Sequence, residues 1–287
     1  MRIVTDAAAN LTPEKVQELG IEVVPFQVTF LGETYRDGSD FRPEDLYELY
    51  SQHPNDFSQT SQPSVGDFVS AYERPGDDEI LSIHLSSGLS GAYSSAEHAA
   101  RMVPDKKVIV IDSRTVGPAL GWMVEAAAYG IKKGWTKERI LDAVQQVKDN
   151  TITMVAFTEL SHLVHSGRVS HLKGIIAAIL KLKPIIGMND EDGRYSNLGQ
   201  EVTMQRLVKK MASIVHQRFG DTRLRVQCMH GKNAAGAEML KNAVMEVFDI
   251  VEDKLVPVTL VLGAHAGPTV FGLAAIPQSI FDSLYQA

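Results

Sequence analysis

Along the first half of the chain, short β-branched runs alternate with stretches whose apolar residues return every three to four positions, the pattern of a parallel sheet covered by helices. Arg2 to Asp6 predicts the first strand. LTPEKVQELG predicts the first helix, with Thr12 as N-cap, Pro13 opening it and Gly20 as its stop. IEVVPFQVTF reads as a strand in which Pro25 argues for an edge or a bend. RPEDLYELY predicts a helix and HPNDFSQTSQ a polar loop. PSVGDFVSAYE predicts a further helix, with Val65, Phe68, Val69 and Tyr72 on one face and Pro63 in its first turn. EILSIHL, KVIVID and TMVAF are apolar enough for interior strands. Between the last two, PALGWMVEAAAYGIKKG and TKERILDAVQQVKDN predict two helices, the second capped by Thr136.

Beyond about Asn150 the pattern changes, which predicts two domains, residues 1–150 and 151–287. KLKPIIGMNDEDGRYSNLG reads as a hairpin around the Asp192-Gly193 turn. EVTMQRLVKKMASIVHQRF and AAGAEMLKNAVMEVF are amphipathic helices separated by the strand RLRVQCMH. The closing run DIVEDKLVPVTLVLGAHAGPTVFGLAAIP reads as strands around a glycine-rich turn.

Composition narrows the function classes. The 287 residues carry 28 Lys and Arg against 35 Asp and Glu, a formal charge of −7, so a phosphate-backbone partner has no global electrostatic support and nucleic acid is not expected. Cys228 is the single cysteine, which excludes an internal disulfide or a thiolate metal site. The N-terminal run is too short for a signal peptide, and no apolar run reaches the roughly 18 residues of a membrane span. A cytoplasmic protein without an integral membrane span is the expectation.

The densest chemistry lies in LSSGLSGAYSSA, a strand followed by a glycine-rich turn and a helix with Ser90 in the N-cap position. Free backbone N–H groups at such a turn can hold a carboxylate or phosphate. Simple capping explains the same residues equally well. A third reading is a nucleophile elbow, because Gly88 and Ala92 flank Ser90 at −2 and +2. Too few strands precede it, no HGGG-type loop is present, and no aspartate is marked to orient His265. QTSQPSVG puts Thr60 and Ser61 just before a second helix, with Gln62 held extended by Pro63. Arg168, in the polar turn HSGRVS ahead of a long apolar run, is either a surface charge or the partner of a carboxylate at the rim of an apolar site. His162, His165 and His171 lack a metal-motif spacing, and His265 lies among the small residues of GAHAGPTVFG. No Walker loop, complete G-x-G-x-x-G or H-E-x-x-H occurs.

Taken together, IVTDAAANLTPE, YRDGSDFRPEDLYE, TSQPSVGDFVSAYE, LSSGLSGAYSSA, VIVIDSRTVGPALG, HSGRVS with LKLKPII, and GAHAGPTVFG resemble the DegV family from end to end and in its order. The resemblance implies an α/β protein, an N-terminal α/β/α domain with a parallel sheet and a C-terminal two-layer α/β domain with a mixed sheet. It implies a non-catalytic carrier that binds a long-chain fatty acid between the two and presents the carboxylate to a separate fatty acid kinase catalytic subunit, with no cofactor. By the same resemblance Thr60 and Ser90 hold the carboxylate. His265 and Arg168 lie near the head group or the docking surface, and the neighbours Ser61 and Gly91 are expected beside the same contact. The chain departs from the family pattern at Ala7, where a hydroxyl residue commonly stands, and at Thr269, where glycine is usual. The competing class is a serine hydrolase of acyl esters with Ser90 as nucleophile.

A fatty acid suits these residues. Burying an acyl tail yields roughly 0.8 kcal/mol per methylene, about 12 kcal/mol gross for palmitate, so hydroxyls need only orient the head group. GIIAAILKL, Phe26, Phe30 and Phe271 are candidates for the lining, although core packing is the commoner fate of such residues.

Overall fold

In the computed structural model, which describes residues 1–38, 41–172 and 182–286, alternation of strand and helix builds the first half as its pattern predicts. β1 (Arg2–Asp6) leads to α1 (Pro13–Leu19), where the Thr12 hydroxyl accepts from the Lys15 N–H and Gly20 ends the helix at φ 64°. Pro25 divides the next apolar run in two: β2 (Ile21–Val24) pairs with β1, whereas β3 (Gln27–Phe30) joins β4 (Glu33–Arg36) in a separate antiparallel sheet. After α2 (Pro43–Gln52), the run expected to be loop contains β5 (Gln59–Ser61), which pairs Thr60 with Val28. The following helix, α3 (Val65–Tyr72), starts later than expected. Ser64 and Asp67 form its capping box, and Pro63 stands outside.

β6 (Glu79–His84), α4 (Ala92–Met102) and β7 (Lys107–Asp112) complete a four-stranded parallel sheet in the order β2-β1-β6-β7. KVIVID is therefore an edge strand and not an interior one, pairing among the described residues with β6 alone. α3 and α4 cover one face of this sheet through Phe68, Tyr72, Ala96 and Ala99. α5 (Pro118–Lys132) and α6 (Lys137–Asn150) lie on the other side, with α5 against β1 and β6.

A mixed sheet begins directly after Asn150. β8 (Ile152–Ala156) is followed by α7 (Ser161–His165), the hairpin β9 (Lys183–Met188) and β10 (Tyr195–Glu201), then α8 (Met204–Phe219), β11 (Leu224–His230) and α9 (Ala234–Met245). Short strands β12 (Ile250–Glu252) and β13 (Val256–Pro257) precede α10 (Leu260–Ala266), β14 (Phe271–Pro277) and α11 (Gln278–Gln286). The order β10-β9-β8-β14-β11-β12 inserts the last strand between β8 and β11, antiparallel to both. Leu260–Ala266, expected to be the end of a strand running into the glycine-rich turn that holds His265, is instead the helix α10, and His265 lies in it.

Alternation along β14 sorts its two faces. Leu273 and Ala275 pack on α8 and α9, while Ala274 and Ile276 join Leu120, Trp122 and Phe281 in the largest core. That core draws residues from both halves. The buried Arg225 of β11 strengthens the junction, pairing with Glu125 of α5 at 3.0 Å and with Asp253 at 2.7 Å. Cys228 is buried and free.

Candidate functional site

Where α5 and α6 stop covering the mixed sheet, a cavity remains between the two sheets, partly open to solvent. Its floor follows from strand alternation. Thr153 and Val155, with Phe157 just beyond the strand end, project from one face of β8, joined by Ile186 and Met188 of β9 and Met229 of β11. Of the expected apolar lining, Phe26 reaches the cavity, whereas Phe30 and Phe271 are fully buried core residues. Phe271 pairs with Ala156 and so shares the opposite face of the sheet. Apart from Leu182, GIIAAILKL lies outside the described residues.

Two polar turns from the first half come together at this cavity. The Ser90 turn is fixed by its own backbone, since Leu89 and Ser90 donate their N–H groups to Ser86 O at 3.0 and 3.2 Å. Asp112, at the end of β7, accepts from Ser87 N at 3.0 Å and from Ser87 Oγ at 2.6 Å, and Ser86 Oγ donates to Gly193 O at 2.6 Å. The helix-capping position itself falls to Gly91, which has no side chain to cap with, instead of Ser90 as expected. Ser90 Oγ still accepts from Ala92 N at 3.2 Å, and it donates to no acceptor among the described residues. Its hydroxyl proton is therefore available to a ligand acceptor.

Thr60 faces the same space from β5, and its Oγ1 lies 2.9 Å from His265 Nε2. Gln62 Nε2 donates to Ser95 Oγ at 3.0 Å, tying the Thr60 segment to the helix that follows Ser90. A Cβ at position 91 would come within 2.5 Å of the Gln62 amide, so Gly91 makes room for that tie. Ser61 alternates outward and is exposed.

Burial, reinforced by the nearby Arg168, pushes the His265 imidazole down to about 3, so the ring is neutral at physiological pH. Arg168 also lines the cavity. Its Nη1 donates to Ser166 O at 2.6 Å, and no carboxylate lies within ion-pairing distance among the described residues. Burial lowers its pKa from the usual guanidinium value, while the nearby Tyr195 acts in the opposite direction; the Tyr195 hydroxyl is itself pushed up to about 12 by desolvation. The cavity thus offers hydroxyl donors, a neutral imidazole and one uncompensated cation around an apolar interior. That set complements an anionic head on an apolar tail.

No hydrogen bond joins Ser90 to His265, and His265 has no carboxylate partner among the described residues, so the geometry gives the hydrolase reading no support. A Ser-His-Asp chain does exist elsewhere. Ser82 Oγ lies 2.6 Å from His84 Nε2 and His84 Nδ1 lies 3.0 Å from Asp6 Oδ2, but all three residues are fully buried in the parallel sheet and out of substrate reach. Among the described residues no group of three or more metal-ligating side chains occurs. His162 and His165 pack against Phe57, and His171 bonds to the Tyr195 carbonyl. Sequence reasoning missed Gln62 and Asp112 as supports of the two turns. Gln62 stands in the TSQP segment, and only its tertiary partner was illegible.

The sequence profile of the DegV family, described as uncharacterised proteins, matches residues 1–278. A DegV domain-containing protein of Staphylococcus aureus strain N315 is 32% identical over 280 residues, covering 96% of this chain and 98% of the relative. A DegV family protein from Thermus thermophilus, described for its fatty acid binding, superposes with a TM-score of 0.88 at 26% identity, covering 96% of this chain and all of the other. DegV from Bacillus subtilis, described as a fatty acid binding protein, gives a TM-score of 0.84 at 27% identity, covering 96% of this chain and 98% of its own.

Proposed function

The chain belongs to the DegV family, and from that membership and the cavity we propose that it binds one long-chain fatty acid, with the carboxylate at Thr60 and Ser90 and the tail between the two sheets. The observation that carries this reading is the pairing of an apolar cavity with hydroxyls and with Arg168, which has no carboxylate partner among the described residues, on its wall. Burial of the tail supplies the affinity, at roughly 0.8 kcal/mol per methylene. The Ser90 hydroxyl donates to one carboxylate oxygen. Thr60, accepting from the Nε2–H tautomer of His265, donates its own proton to the other, and Arg168 balances the charge.

In this reading residues 1–150 bring the carboxylate-binding turns and residues 151–287 most of the apolar floor. The protein is a cytoplasmic carrier and not a catalyst. It presents the carboxylate to a separate kinase subunit, a division of labour supported by the absence of any nucleotide-binding motif in the sequence and by the half-exposed position of Ser90. A phosphoryl donor and its metal would then belong to the partner.

The test is uptake. Delipidated protein offered palmitate is expected to bind one molecule per chain, and Ser90→Ala and Thr60→Ala each to weaken binding by about 1–3 kcal/mol, the usual cost of unpairing a buried charged acceptor. No uptake by the wild type, with no lipid extractable from freshly purified protein, would sink the reading. Unchanged affinity in both variants would sink the site assignment alone.

A further inference from the structure

Asn10 and Asp37 do not touch the cavity, yet both lie under the start of α10, the helix that carries His265. The Asp37 carboxylate is buried and accepts from Leu260 N at 3.2 Å and Val261 N at 2.8 Å. Asn10, buried and left-handed at φ 54°, accepts from Thr259 N at 2.7 Å through Oδ1 and donates to Pro257 O at 3.2 Å through Nδ2. Three successive backbone N–H groups of the second half are therefore satisfied by side chains from the first. The local alternative goes unused: Thr259 occupies the capping position, but its hydroxyl bonds to no residue among those described.

The same short helix presents Val261, Leu262 and His265 to the cavity. A helix moves as a unit, so a shift at Leu260 reaches His265, about 7.5 Å along the axis at 1.5 Å per residue. The 2.9 Å contact between His265 and Thr60 tolerates only a few tenths of an ångström before it weakens. We propose that Asp37, assisted by Asn10, is a positioning residue of the head-group site: by holding the start of α10 from the opposite half of the chain, it sets His265 against Thr60. The inference rests on the reading of the cavity as a fatty-acid site.

A double-mutant cycle on the full chain separates this role from general stabilisation. Palmitate binding to delipidated protein is measured for the wild type, Asp37→Asn, His265→Ala and the pair. Asp37→Asn is expected to weaken binding about 10-fold, the size of one misplaced hydrogen bond to a charged group. In the His265→Ala background the same change is expected to matter less than about 2-fold, because the residue it positions is gone. Asn10→Ala, run through the same cycle, serves if Asp37→Asn does not fold. Equal affinity of the wild type and the variant overturns the inference, as does a loss that persists undiminished without His265. A wild type that binds no palmitate defeats the fatty-acid reading first, and this inference with it.

Discussion

At Ser90 and Thr60 the polar atoms that face the cavity are few, and each already has one partner: Ser90 the Ala92 N–H, Thr60 the His265 imidazole, which lines the same cavity. His265 carries a pH signature of this arrangement. Its folded value is near 3 against an ordinary 6.5, so the folded chain refuses a proton that the unfolded chain accepts. The stability tied to neutral His265 is full above about 6.5 and is lost as pH falls through that window toward 3. His265→Gln is accordingly expected to lose less stability than the wild type between those limits, read as urea midpoints across pH; parallel curves would contradict the burial of a neutral ring. Thr60, Ser90, Arg168 and His265 were legible as residue types in suggestive turns. What each one touches was not, because their partners lie up to 205 positions away. Ser61 and Gly91 take different places beside these residues. One alternates outward along its strand, and the other serves by having no side chain.

Elements with strong local signals were readable and those set by tertiary partners were not. The Thr12 and Thr136 caps, the Pro25 bend and the hairpin around Gly193 stand where the sequence put them. β5 escaped notice because three residues carry no periodicity, and α10 because Gly263 and the flanking Gly267 imitate a turn; Gly263 is small because the Tyr47 hydroxyl occupies the space a Cβ would need. The Ser90 turn depends on a similar close approach. A Cβ on Gly88 would come within 2.5 Å of Asp192 O and 2.7 Å of the Gly193 carbonyl, and both are backbone atoms that cannot swing aside. Gly88→Ala is expected to push the turn away from the hairpin and destabilise the protein by about 1–3 kcal/mol in chemical unfolding. An unchanged midpoint would show that the two segments are not tightly seated.

Across the whole molecule, α5 and α6 lie between a parallel and a mixed sheet, and the cavity occupies the part of that layer they leave unfilled. The change from parallel to mixed architecture after Asn150 was legible in the patterning. The insertion of β14 between β8 and β11 was not, since it joins segments about a hundred residues apart and leaves no local trace. Among the described residues no helix is long and apolar enough to cross a membrane. The reading proposed above has a single acyl chain filling the layer between the sheets, with its carboxylate held by two hydroxyls. A crystal structure of the protein with palmitate decides it. Continuous density is expected through the cavity, ending in a carboxylate within hydrogen-bonding distance of Thr60 Oγ1 and Ser90 Oγ. A carboxylate placed elsewhere, or a chain running in the reverse direction, would contradict it.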